Sequence, residues 1–134
     1  SDVSVKDWKT VGMPAEAANA IDGDPQTVWT AKALTPLVVD MGKASEVIGF
    51  SYAPAQKEDL TGTIYKYNFY VSIDGKNWTK CDASGEFSNI MHNPVPYFVR
   101  FGKKYPARYF KLEPVAEINN KPATTVGEVG ILLK

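Results

Sequence analysis

The sequence predicts an all-β chain, a sandwich or jelly roll of antiparallel strands with almost no helix. Three observations predict it. Apolar residues recur at every second position, the strand-like runs are short, and Gly, Pro and Asn turns separate them.

Taken in order, residues 14–21 are alanine-rich and form the one stretch suited to a helical turn. Residues 37–41 (LVVDM) and 47–52 (VIGFSY) read as two strands parted by Gly42-Lys43, the second stopped by Pro54. Over residues 65–73 the odd positions Tyr65, Tyr67, Phe69, Val71 and Ile73 are apolar, so one face packs and the other is mainly wet. Asp74-Gly75 tolerates positive φ and signals a hairpin, with Trp78 opening the returning run towards Cys81. Residues 97–101, 108–112 and 129–133 are further strands, set apart by Asn93-Pro94, Pro106, Asn119-Asn120 and Pro122. The total is seven or eight strands, with no internal repeat or linker.

The 134 residues fit one domain, 1–134, large enough to hold a core without staples. Lys+Arg and Asp+Glu are both 15, and no basic run stands out, which argues against nucleic acid and against a membrane surface. No apolar stretch is long enough to insert in a bilayer. Cys81 is the single cysteine, so an intramolecular disulfide and a cysteine metal cluster are both excluded; the residue reads as a small packed side chain. The chain starts at Ser1 without a signal peptide and reads as a mature or excised fragment of a larger enzyme. No nucleophile elbow, zinc-protease helix, Walker loop or dinucleotide fingerprint is present. Counting acids leaves a carboxylate pair for glycoside hydrolysis open, but no acidic pair lies in a recognisable cleft motif.

Residues 18–29 (ANAIDGDPQTVW) form a compact oxygen-rich loop. Calcium suits such a loop because it takes many oxygen ligands, carbonyls included. A plain turn in which Asp22 and Asp24 bond nearby amides suits it equally. An EF-hand does not, since the twelfth position from Asp22 is Ala33 rather than Glu.

The run AIDGDPQTVW resembles the Ala-x-Asp-Gly-[Asn/Asp]-x-x-Thr-x-Trp signature of discoidin domains, also called coagulation factor 5/8 type C domains. PLVVDMGK, EVIGFSYAPAQ, YKYNFYVSIDGKNW, PARYFKLEPV and VGEVGILL resemble that family's later strands in the right order, so the likeness covers nearly the whole chain. It resembles most closely the bacterial sugar-binding branch, family 32 of the carbohydrate-binding modules. The resemblance implies a discoidin-like jelly-roll β-sandwich of the galactose-binding-domain type. It also implies a structural Ca2+, held by the Asp22 carboxylate, the Thr27 hydroxyl and carbonyl, and mainly the backbone carbonyls of Asn19 and Asp24. Glu128 on the last strand would close that cage, and Trp29 would pack beneath it.

In galactose-binding relatives the resemblance leads one to expect Arg after Tyr-x-Pro, His shortly after the signature Trp, and an acid just before the signature. Here Ala55 and Ala18 stand at two of those places, and residues 30–36 contain no His. Sugar recognition needs an apolar face and placed polar groups, which leaves Tyr52, Gln56, Phe87, Asn89 and His92 as ligand candidates, with the neighbouring 57–59 and Asn93. Trp8 is a candidate stacking platform or a core anchor. His92 is the only histidine and has no catalytic partner motif. Asn77-Trp78-Thr79 is formally a glycosylation sequon but reads as hairpin.

The expected function is a binding module that keeps a covalently linked glycoside hydrolase, such as an α-fucosidase, sialidase or hexosaminidase, near its glycans. Its expected partners are oligosaccharides and that catalytic domain; the module itself is expected to be monomeric and secreted, periplasmic or cell-surface. The rival readings are a spacer that has lost sugar binding, and a discoidin domain that binds protein or phospholipid.

Overall fold

The two-residue period emerges as eight strands in the computed structural model, which describes residues 7–134. They are β1 (Lys9–Thr10), β2 (Trp29–Ala31), β3 (Leu37–Ala53), β4 (Ile64–Ser72), β5 (Thr79–Lys80), β6 (Tyr97–Glu117), β7 (Thr124–Val126) and β8 (Glu128–Leu133). A 3-10 helix, Ala15–Ala20, precedes β2. The main sheet runs β1-β3-β6-β4-β5, with β8 also paired to β3, and β2 pairs with β7 alone. Every strand pair is antiparallel. The fold is the antiparallel β-sandwich with little helix that the sequence predicts.

Two pairs of expected strands turn out to be single bent strands. Residues 37–41 and 47–52 fuse into β3, with the register shifting between Asp40 and Ser45. Gly42 occupies that shift at φ 86°, and its amide caps the Asp40 carboxylate at 2.7 Å. Residues 97–101 and 108–112 likewise fuse into β6, and Pro106 faces Glu46 within the same irregular stretch. A proline and a positive-φ glycine bend a strand pair without ending it when a bulge absorbs the mismatch. As a result β3 pairs β1 near its start and β8 near its end, while the far half of β6 pairs β4.

The core lies between the layers that this bend creates. Phe50 of β3 stacks on Phe69 of β4 with centroids 4.1 Å apart, although those strands do not pair. Tyr67, Phe87, Phe101 and Phe110 extend the aromatic cluster, and Trp29 is buried with it as expected. Such ring pairs each add about 0.5–1.5 kcal/mol beyond their buried area. Cys81 is buried here too, and burial pushes its thiol up to about 12.

Two expectations need correcting, and one strand pair is new. Ile73 does not pack: it is 52% exposed because β4 ends at Ser72, whose hydroxyl turns to accept the Gly75 amide. The run opened by Trp78 shrinks to the two residues of β5, since Asp74 gathers the Lys76 and Asn77 amides into a wide turn. The pair β2–β7 was not foreseen from the sequence, because three residues are too few to show a period.

Candidate functional site

The Asp-Gly-Asp loop is positioned by the 3-10 turn before it, which buries Ala17 and Ala20 and leaves Asn19 at the loop's base. The Asn19 amide donates to the Val28 carbonyl at 3.1 Å and fastens both ends of the loop. Thr27 then draws the oxygens together. Its hydroxyl meets the Asn19 carbonyl at 3.2 Å, the Asp24 carbonyl at 3.0 Å and the Asp22 carboxylate. The Asp22 and Asp24 carboxylates also accept the Asp24 and Gln26 amides, both at 2.9 Å, so the loop is an Asx turn as well.

Glu128, at the start of β8, reaches the loop from the far end of the chain and accepts the Gly23 amide through Oε2 at 2.9 Å. Its other oxygen, Oε1, is buried and has no hydrogen-bond partner. Burial first, and then the charges of Asp22 and Asp24, push the Glu128 carboxyl up to about 7, against the pull of the Gly23 amide. Among the described residues no group of three or more His, Cys, Asp or Glu side chains is gathered as a metal site. What converges here is mixed: carboxylates, a hydroxyl and main-chain carbonyls, with one orphaned buried oxygen. An all-oxygen donor set of that kind fits a hard cation. The five residues named from the sequence, Asn19, Asp22, Asp24, Thr27 and Glu128, do come together.

The sugar candidates divide. Tyr52 has no exposed surface; its hydroxyl donates to the Thr125 carbonyl at 2.8 Å and accepts the Ile64 amide at 3.0 Å. Phe87 is 1% exposed and stacks on Tyr67 at 4.4 Å and on Tyr52 at 4.9 Å. Trp8 is 7% exposed and lies edge-on to Phe110 at 5.4 Å. These three rings are core residues, not stacking platforms. For Tyr52 the signal was available, since it shares strand parity with Phe50.

Gln56, Asn89 and His92 are exposed. Gln56 braces its neighbour, donating to the Pro94 carbonyl at 3.2 Å and to the Pro54 carbonyl at 3.1 Å. Asn89 and His92 line a cleft of about 220 Å³ with Tyr65, Ile90, Met91 and Ile118. Tyr65, Met91 and Ile118 were not singled out from the sequence. Tyr65 reads there as a packing residue, yet it is only half-buried, its hydroxyl donating to Glu86 at 2.9 Å. None of the places where a galactose-binding relative leads one to expect Arg, His or an acid lines this cleft, and Ala55 is itself buried.

The F5/8 type C domain family matches the chain over residues 4–129. Galactose oxidase of Gibberella zeae is 29% identical over 143 residues, covering 98% of this chain and 20% of that protein. The chain therefore spans about a fifth of the length of the curated relatives it matches. A family 32 carbohydrate-binding module from Clostridium perfringens, solved in complex with GalNAc-β-1,3-galactose, has a TM-score of 0.83 at 23% identity, covering 98% of this chain and 99% of that one. A protein assigned as an α-L-fucosidase from Bacteroides ovatus is 35% identical with a TM-score of 0.72, covering 96% of this chain and 18% of its own.

Proposed function

This chain belongs to the F5/8 type C domain family, and from that premise we propose that it is a non-catalytic carbohydrate-binding module of a secreted, periplasmic or cell-surface glycoside hydrolase. The observation that carries the reading is the family match along nearly the whole chain. The sugar-bound family 32 module and the fucosidase-borne domain support it, each being similar along almost the entire sequence. In such a protein the module contributes proximity: it holds the linked enzyme near its substrate and makes or breaks no bond itself. A shallow site that buries little of its ligand binds weakly, with Kd on the order of 1 mM.

Calcium is part of the proposal, as a structural ion. Asp22, Thr27 and Glu128 with the carbonyls of Asn19 and Asp24 would hold it. Its charge would offset the crowded carboxylates and partner the orphaned Glu128 oxygen. Through Glu128 the first loop is then tied to the last strand.

A second reading has its own support. Ala18, Ala55 and residues 30–36 carry none of the groups with which galactose-binding relatives are expected to hold their sugar, which is what a spacer would show. A glycan array separates the two. Retention of a defined glycan class supports the binding module, and a blank array across neutral, fucosylated and sialylated glycans at millimolar ligand supports the spacer.

A further inference from the structure

We propose that the cleft between Ile118 and the 89–92 turn receives a single uncharged sugar ring; this rests on the carbohydrate-binding reading above and gives it a place. The cleft offers about 220 Å³, below the roughly 300 Å³ at which drug-sized sites begin. That is room for one ring rather than a chain. Its lining pairs the two chemistries that a sugar needs. Tyr65, Met91 and Ile118 present apolar surface for the ring's C–H side, while Asn89 and His92 bring an amide and an imidazole for its hydroxyls. Among the described residues no Lys or Arg lines the cleft, whereas recognition of a carboxylate relies on such cations. The fit is to a neutral hexose or N-acetylhexosamine and not to a sialic or uronic acid.

The loop that carries Asn89 and His92 is held in place before any ligand arrives. Asn89 sits at φ 64°, a left-handed conformation that asparagine tolerates. Its carbonyl accepts the His92 amide at 3.1 Å and the Asn93 amide at 2.9 Å, which closes the turn. One end of the turn is rooted in the core by Phe87, whose carbonyl accepts the Ile90 amide at 3.2 Å. The other end is braced by the Tyr97 hydroxyl on the Asn93 carbonyl at 3.1 Å and by Gln56 on Pro94. At the root of the same loop, Glu86 accepts the Tyr65 hydroxyl at 2.9 Å and so fixes that ring. A turn ordered in advance loses little entropy on binding, so a small site can still select its ligand. The buried Phe87 and exposed Gln56 thus position the site without touching the sugar.

The test is an array of neutral and acidic glycans, followed by titration of the best neutral glycan into the wild type, Asn89→Gly, His92→Ala and Lys121→Ala. Glycine keeps the left-handed turn at 89, and His92 is exposed, so both variants should melt like the wild type. Lys121 lines a different cleft and serves as the control. Neutral glycans should be retained, N89G and H92A should each weaken binding roughly three- to tenfold, the worth of one hydrogen bond, and K121A should not. Wild-type affinity in both N89G and H92A would overturn the cleft while leaving the module reading standing. Retention of acidic glycans alone would overturn the ligand class, and a blank array would overturn both the cleft and the module.

Discussion

Glu128 accepts a hydrogen bond from the Gly23 amide at 2.9 Å, across 105 positions of sequence. That contact joins the oxygen-rich loop to the last strand and leaves Glu128 Oε1 buried without a partner. Adding calcium to EDTA-treated protein should therefore raise the melting temperature. A ligand at a hundred times its Kd adds about 2.7 kcal/mol, which for a domain of this size is on the order of 10 °C. Glu128→Ala should abolish that increment. Identical melts in EDTA and in calcium would remove the ion from the account.

The Tyr52 hydroxyl fixes two backbone groups of separate segments, the Ile64 amide and the Thr125 carbonyl. Tyr52→Phe preserves the ring and strands both groups inside the protein. The expected loss is about 1–3 kcal/mol in urea unfolding, with an unchanged m-value. A loss below a few tenths of a kcal/mol would mean that water takes over both bonds.

Asp40 and Arg108 form a two-pronged ion pair at the bend of β3 and β6, with contacts of 2.9 and 3.0 Å. The Arg108 guanidinium holds the Asp40 carboxyl below its ordinary range, against some desolvation. The sign follows from linkage: a depressed carboxyl stabilises the fold above its unfolded value near 3.8, and that share is lost as pH falls through the folded value. Stability should thus decline below about pH 4, and Asp40→Asn should flatten part of the decline. Because the pair is partly exposed, the difference at neutral pH should be between a few tenths and about 1 kcal/mol. Parallel acid limbs in wild type and variant would contradict this.

Cys81 is buried, and its thiol is pushed up to about 12 by that burial and by the nearby Asp82. The folded protein should not react with a thiol reagent at pH 8 over minutes, and urea should release one equivalent. Prompt labelling without denaturant would place Cys81 at the surface.

How far the sequence carried the fold depended on the kind of signal. Alternation marked β4, because period two reports a half-buried strand directly, while short apolar runs between turn residues marked both halves of β3 and β6. It did not reveal that Gly42 and Pro106 lie within continuous strands, since both residues stop strands as often as they bend them. The oxygen-rich loop was legible because its donors lie within ten residues, and the distant Glu128 was reached only through family likeness. The cleft was half legible. Asn89 and His92 drew notice as polar loop residues, whereas Tyr65 and Ile118 join them only through tertiary contacts that no local pattern records. Phe87 misled for the opposite reason: an aromatic in a loop resembles a platform until its ring is found stacked on Tyr67 in the core.

The central claim, that this domain binds sugar, is tested most directly by titrating a panel of neutral glycans into calcium-loaded protein by calorimetry. The account predicts saturable one-site binding of at least one glycan, with Kd between about 0.1 and 1 mM. Absence of saturable heat for every glycan in the panel, with the protein folded and calcium present, would contradict it.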